Sequence, residues 1–117
     1  MRAHLANVRV RRGGLYLSAE ICDRYLAGLE TVILLRRNND LVILPVRHAA
    51  SGGYLLKRRN AAGDRLVFAP DFFREHGLDD EIDREFPVSW ERDQAALVAK
   101  SAFIETIFAV RNLSRQV

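Results

Sequence analysis

The sequence predicts a single domain of the α+β class that is mainly β with short helices. Its 117 residues suffice for one hydrophobic core and fall short of two ordinary domains. Short β-favouring apolar runs alternate with turn residues, and two of these runs lead into short helical segments. With 49% hydrophobic and 28% charged residues, the composition excludes disordered and collagen-like chains.

The first predicted helix follows a short apolar strand near the N-terminus. Residues 15–17 favour the strand, and the next residue, Ser18, is a preferred N-cap. The helix is predicted over 19–26, and Gly28 is placed to end it.

A β-hairpin is the clearest pattern in the chain. Residues 32–35 and 41–44 are β-favouring apolar runs, and the Asn and Asp residues of 36–40 favour a turn between them. Pro45 is predicted to close the second strand, and the small residues of 49–53 form a flexible connection.

The second half of the chain begins with the same order of elements. Residues 66–68 predict a strand, and Pro70 or Asp71 starts a helix that runs through His76. Gly77 is placed to end this helix, as Gly28 ends the first.

The repetition indicates an internal duplication. Residues 13–18 align with 64–69, which lie 51 positions later, and residues 86–90 and 95–99 form a weaker second hairpin. The alignment predicts that equivalent apolar residues of both halves share one interior. These residues are Leu17, Ile33, Phe68 and Val98.

The repeated unit resembles the AbrB-type swapped-hairpin family. Each unit has an apolar strand, a short helix, a Gly-Leu pair at 28–29 or 77–78, and a hairpin. Two units in one chain resemble the MraZ branch. The resemblance implies one domain over 1–117, a swapped-hairpin β-barrel made of two degenerate repeats at about 8–46 and 57–99, and DNA binding through basic residues.

The basic positions of that family are only partly kept. Ser18 and Ala69 stand where the family has proline, and Arg65 alone stands on a family basic position. The resemblance therefore supports the fold more than the DNA contacts.

The charges are divided unevenly along the chain. Residues 1–65 hold twelve basic and five acidic side chains, whereas residues 66–117 hold six and ten. Such asymmetry suits a protein that binds a polyanion, or one that joins like subunits.

Strand alternation places Arg9 and Arg11 on the face opposite Val8 and Val10, so both guanidinium groups are expected in solvent. Phosphate contacts are predicted for Arg9, Arg11, Arg12, Lys57, Arg58, Arg59 and Arg65. The competing interpretation is that these charges protect strand edges and keep the protein soluble.

The C-terminal segment predicts an amphipathic helix over about 100–113. An apolar face recurs at helical spacing, and it either completes the core or binds a protein partner. Its residues are Phe103, Ile104, Ile107 and Phe108.

No catalytic, metal or cofactor site can be assembled from the sequence. His4, His48 and His76 are widely spaced, and none belongs to a zinc-binding pattern. Cys22 lies on the apolar side of the first helix, where a buried and unreactive thiol is expected.

These observations predict a non-enzymatic DNA-binding transcriptional regulator, with double-stranded DNA as partner. The alternative is an accessory or assembly protein that binds its partner through the C-terminal helix. A homo-oligomer fits either function. The chain has neither a signal-peptide pattern nor an apolar run long enough to cross a membrane, so a cytoplasmic location without membrane contact is expected.

Overall fold

A computed structural model describes residues 6–47 and 52–103 of the chain. The strands are β1 (Ala6–Arg11), β2 (Gly14–Leu17), β3 (Thr31–Arg37), β4 (Asp40–Val46), β5 (Tyr54–Leu55), β6 (Lys57–Arg58), β7 (Arg65–Phe68), β8 (Asp83–Glu91) and β9 (Ala96–Ala99). The helices are α1 (Ala19–Tyr25) and α2 (Pro70–Glu75). The described part of the chain is therefore mainly β with two short helices, as predicted.

The strands form one antiparallel sheet that curls into a nearly closed barrel. Their order is β5-β3-β4-β9-β8-β1-β2-β7-β6. The two edge strands are separated by a single residue, Leu56. Tyr54 of β5 lies opposite Val32 of β3, and Lys57 of β6 lies opposite Leu66 of β7. This short segment thus joins both edges of the sheet, which leaves few unpaired strand edges.

The first hairpin is confirmed, with Ile33 opposite Leu44. Its turn is the residue pair 38–39, and Asn38 adopts a φ of 57°, a left-handed conformation that asparagine tolerates well. The prediction that Pro45 closes the second strand is wrong, because β4 continues to Val46. Pro45 lies beyond the residues that pair with β9, so its missing N–H removes no bond to that strand.

Helix α1 is confirmed, and its N-terminus is bound by two side chains. The Ser18 hydroxyl accepts a hydrogen bond from the Ile21 N–H at 3.2 Å, and the Asp64 carboxylate accepts one from the Ala19 N–H at 2.8 Å. The second bond ties the helix to the loop before β7. Gly28, with a φ of +77°, follows the helix where the sequence predicts its end.

Helix α2 is also confirmed, but it has no side-chain cap. Pro70 occupies its first turn, where a missing N–H costs nothing, and the N-cap residue is Ala69. The Leu78 N–H returns to the Phe73 carbonyl at 2.7 Å, beyond Gly77, whose φ is +90°.

The second hairpin, between β8 and β9, is confirmed as well. Ser89 lies opposite Val98, and the turn spans four residues where the first hairpin has two. Phe73 and Leu17 are fully buried in the main core, whereas Val98 belongs to a smaller cluster with Val42.

The expectation of one shared interior for the four aligned residues is wrong, because among them only Leu17 belongs to the main core, and Phe68 is the clearest exception. Its side chain is 57% exposed, and Ile33 is only half-buried. Val67 pairs with Leu15, both side chains point inward, and the next residue on β7 therefore points outward. The 51-position alignment consequently matches inward residues of β2 with outward residues of β7.

Most of the predicted C-terminal helix lies outside the described residues. Residues 100–103 form a turn, and the Phe103 N–H donates to the Asn39 carbonyl at 3.0 Å. In the described ranges, no helix has the length and apolarity needed to cross a membrane.

Candidate nucleic-acid interface

Strand β1 presents its two arginines to solvent, as strand alternation predicts. Val8 and Val10 are buried, while the Arg9 and Arg11 side chains are about half exposed, at 49% and 47%. The strand lies between β2 and β8, so residues from three strands surround these guanidinium groups.

Both arginines are associated with one carboxylate, that of Asp83 at the start of β8. Arg9 binds it with two hydrogen bonds, from Nε to Oδ1 at 2.7 Å and from Nη2 to Oδ2 at 3.1 Å. Arg11 is more distant, with its Nε 3.8 Å from Oδ2. The hydrogen bond from Arg9 lowers the pKa of Asp83, and the same bond raises the pKa of Arg9. Arg9 is thus the more firmly held of the two.

Tyr16 contacts a third arginine, Arg59, next to Arg9. It lies opposite Arg9 on the neighbouring strand β2, and the Cζ of Arg59 lies 4.8 Å from the centre of its ring. Such a cation–π contact orients the guanidinium group across the ring. Arg9, Arg11, Tyr16 and Arg59 together line a surface depression of about 150 Å³.

The structure therefore joins two basic clusters that are about fifty positions apart in the sequence. Sequence reasoning missed Tyr16, the residue at their centre. Its position between the inward Leu15 and Leu17 on a short strand was the available signal, because alternation places it on the outer face.

Arg12, Lys57 and Arg58 are also exposed, and Lys57 lies opposite Leu66, which itself lies opposite Tyr16. Arg12 lies in the β1–β2 turn with a φ of 50°, and its backbone N–H donates to the Ile82 carbonyl at 3.3 Å. The Nε of Arg58 donates to the Asn60 carbonyl at 3.2 Å. We call Arg9, Arg11, Arg12, Lys57, Arg58 and Arg59 the basic face.

Arg65 occupies a different environment from the other predicted phosphate contacts. It is only partly exposed, and its Nη1 donates to the Leu56 carbonyl at 3.1 Å. Its Nε is buried and has no hydrogen-bond partner. Arg65 therefore has a structural role: it binds Leu56, the residue between β5 and β6, where the two edges of the barrel meet.

The predicted protein interface is only partly covered by the described residues. Phe103 is fully buried, with His76 and Arg36 against its ring at 5.5 and 5.1 Å from its centre. Ile104, Ile107 and Phe108 lie outside the described residues.

Cys22 is buried, as predicted, and burial raises the pKa of its thiol to about 11. A thiol of this kind is a poor nucleophile at neutral pH. Across residues 6–47 and 52–103, no group of three or more His, Cys, Asp or Glu side chains is arranged to hold a metal ion.

Comparisons of the chain with protein-family models, curated proteins and solved structures found no match.

Proposed function

We propose that this chain is a non-enzymatic DNA-binding protein that regulates transcription, as the resemblance to the AbrB and MraZ families suggests. The observation that carries the proposal is the convergence of Arg9, Arg11 and Arg59 around Tyr16 on one outer surface. Separate segments of chain supply these cations, and Asp83 is paired chiefly with Arg9. Phosphates of DNA would offset the charge of the remaining arginines.

Five cations of the basic face are available for phosphate contacts. Arg9 is held by two short hydrogen bonds to Asp83, so it contributes little until that carboxylate is displaced. The other five are Arg11, Arg12, Lys57, Arg58 and Arg59. Because each phosphate contact releases counterions, about five contacts give a slope of roughly −4.5 for log affinity against log salt.

The strand pairing supports the family's two-repeat architecture. In the proposed repeats, β2 corresponds to β7 and β4 corresponds to β9. Each of these strands pairs antiparallel with its own counterpart, since Leu15 lies opposite Val67 and Val42 lies opposite Val98. Two units related by a twofold axis would pair in this way, which favours an interlaced barrel formed by the two halves of one chain.

The test is binding to a fluorescent mixed-sequence duplex of about 30 base pairs, measured by anisotropy from 50 to 200 mM salt. A slope near −4.5 corresponds to about a 500-fold loss of affinity over this fourfold change in salt. The triple variant Arg11→Gln, Arg12→Gln, Arg59→Gln should bring the slope to about −2, since three contacts are removed.

The matched control is Arg37→Gln, Arg47→Gln, Arg92→Gln, which changes the net charge equally outside the basic face. It should leave the slope near the wild-type value. Absence of saturable binding at 50 mM salt, or equal effects of both triple variants, would overturn the proposal.

The alternative function, an accessory protein bound through its C-terminal helix, receives less support. Phe103 is the first residue of the predicted apolar face, and it is already packed in the core.

A further inference from the structure

Strand β7 exposes an aromatic ring that the core does not use. The Phe68 side chain is 57% exposed, and Leu55 of the adjoining edge segment is 58% exposed. Their neighbours Val67 and Leu56 point inward and are buried. The two exposed side chains therefore lie on the outer surface of the barrel.

The two side chains belong to neighbouring segments of the sheet. Lys57, two residues after Leu55, lies opposite Leu66, which is two residues before Phe68. Strand β5 also contacts β7. Together they form what we call the apolar platform, Leu55 and Phe68.

A glycine, Gly14, lies next to Phe68 on the neighbouring strand β2. Gly14 lies opposite Phe68 on β2, so no side chain rises beside the ring from that position. A Cβ at Gly14 would lie 2.8 Å from the Leu66 side chain and 3.4 Å from the Tyr16 ring. Gly14 is buried beneath the Leu66 side chain and the Tyr16 ring, so close packing requires glycine here.

Two cations lie near the platform. Arg11 of β1 lies opposite Gly14, one strand beyond it from Phe68, and Lys57 follows Leu55 by two residues along the edge segment. Neighbouring strands are about 4.8 Å apart, so Arg11 lies roughly 10 Å from Phe68 across the sheet. An extended chain that carries both flat apolar groups and phosphates can contact these elements together.

We infer that the basic face and the apolar platform together bind an unpaired strand of nucleic acid, with a base stacked on Phe68. The inference rests on the proposed function and narrows it to the form of nucleic acid preferred. A duplex offers its phosphates to the arginines, but its bases are stacked on one another and give no face to a protein ring. Unpaired bases expose their flat faces to a protein ring. Exposed aromatic side chains flanked by cations are typical of surfaces that bind single strands.

The test compares a 12-nucleotide oligothymidine with a duplex of equal length at 50 mM salt. We expect the single strand to bind more tightly to the wild-type chain. Phe68→Ala should weaken single-strand binding by about 5-fold to 150-fold, the range that loss of one stacked base produces, and should change duplex binding less than twofold. Leu35→Ala, at an exposed apolar position on β3, is the matched control and should change neither affinity.

A second variant reports stacking directly. In Phe68→Trp the new indole should keep single-strand affinity, and its fluorescence should be quenched by the oligonucleotide and not by the duplex. The wild-type chain, which contains Trp90, supplies the background signal.

The results separate this inference from the proposed function. If neither nucleic acid binds, the proposed function fails and the inference fails with it. If the duplex binds as proposed while Phe68→Ala leaves single-strand affinity unchanged, only the inference is overturned. A shift from dimer to monomer in Phe68→Ala, with unchanged affinity, also overturns it, because the platform would then be covered by a second copy of the chain.

Discussion

Asp83 competes with DNA phosphates for the arginines of β1, so its replacement by asparagine should strengthen DNA binding. The carboxylate holds Arg9 through two hydrogen bonds and lies 3.8 Å from Arg11. Asp83→Asn keeps the size of the side chain and removes its charge. Arg9 then becomes available, and the interaction that restrains Arg11 is weakened.

The expected change in salt dependence follows from the number of cations released. Release of Arg9 adds one phosphate contact to the five already counted, which should change the slope from about −4.5 to about −5.4. Between 50 and 200 mM salt, the wild-type chain should lose about 500-fold in affinity, and the variant about 2,000-fold. The gain in affinity should therefore be greatest at low salt.

The assay is the same duplex anisotropy titration, repeated at four or more salt concentrations. The control is Asp93→Asn, which makes an equal change in net charge. Asp93 lies in the turn between β8 and β9, beyond the end of β8 opposite Asp83. It should raise affinity slightly and leave the slope unchanged. Equal slopes for the wild-type chain and Asp83→Asn would refute the argument that this carboxylate sequesters phosphate-binding arginines.

Three further predictions concern the stability of the fold. Phe73→Ala removes a fully buried ring and should lower the free energy of unfolding by about 3–5 kcal/mol in urea titrations, whereas a loss below about 1 kcal/mol would contradict its place in the core. Because its pKa is lowered in the folded chain, Asp83 stabilises the fold above about pH 4 and loses this effect as the pH falls through the lowered value. The free energy of unfolding of Asp83→Asn should therefore depend less steeply on pH below about pH 4 than that of the wild-type chain. Identical pH profiles for the two chains would contradict this role of Asp83. The Cys22 thiol, with its pKa near 11, should resist a disulfide reagent at pH 8 until the chain is unfolded. Since the unfolded thiol ionises first, stability should fall between pH 9 and 11 relative to Cys22→Ala, and a parallel pH profile for the two would argue against a buried thiol.

Patterns carried by neighbouring residues were predictable from the sequence. Both hairpins, both short helices and the inward direction of Val8 and Val10 follow from turn chemistry, capping and alternation over a few residues. Ser18 illustrates why, because its hydroxyl binds an N–H only three residues away. Contacts of this range depend little on the rest of the chain.

The direction of the short strand β7 was not predictable in the same way. It has four residues, and either face could be turned inward on the basis of its own side chains. Its pairing with β2 determines which face points inward, because Val67 lies opposite Leu15 and must face the same side of the sheet. For this reason Phe68 is exposed, contrary to the expectation from the repeat alignment.

The fold class, the local elements and the residues that can carry positive charge follow from the order of the amino acids. Which of those charges lie together depends on the pairing of strands in the folded chain. Pairing of β1 with β8 joins Arg9 to Asp83 across 74 positions, and closure of the barrel brings Arg59 to Tyr16 while fixing Arg65 against Leu56. Local preferences act over a few residues, whereas the surroundings of a charged side chain depend on strands that are distant in the chain and adjacent only after folding.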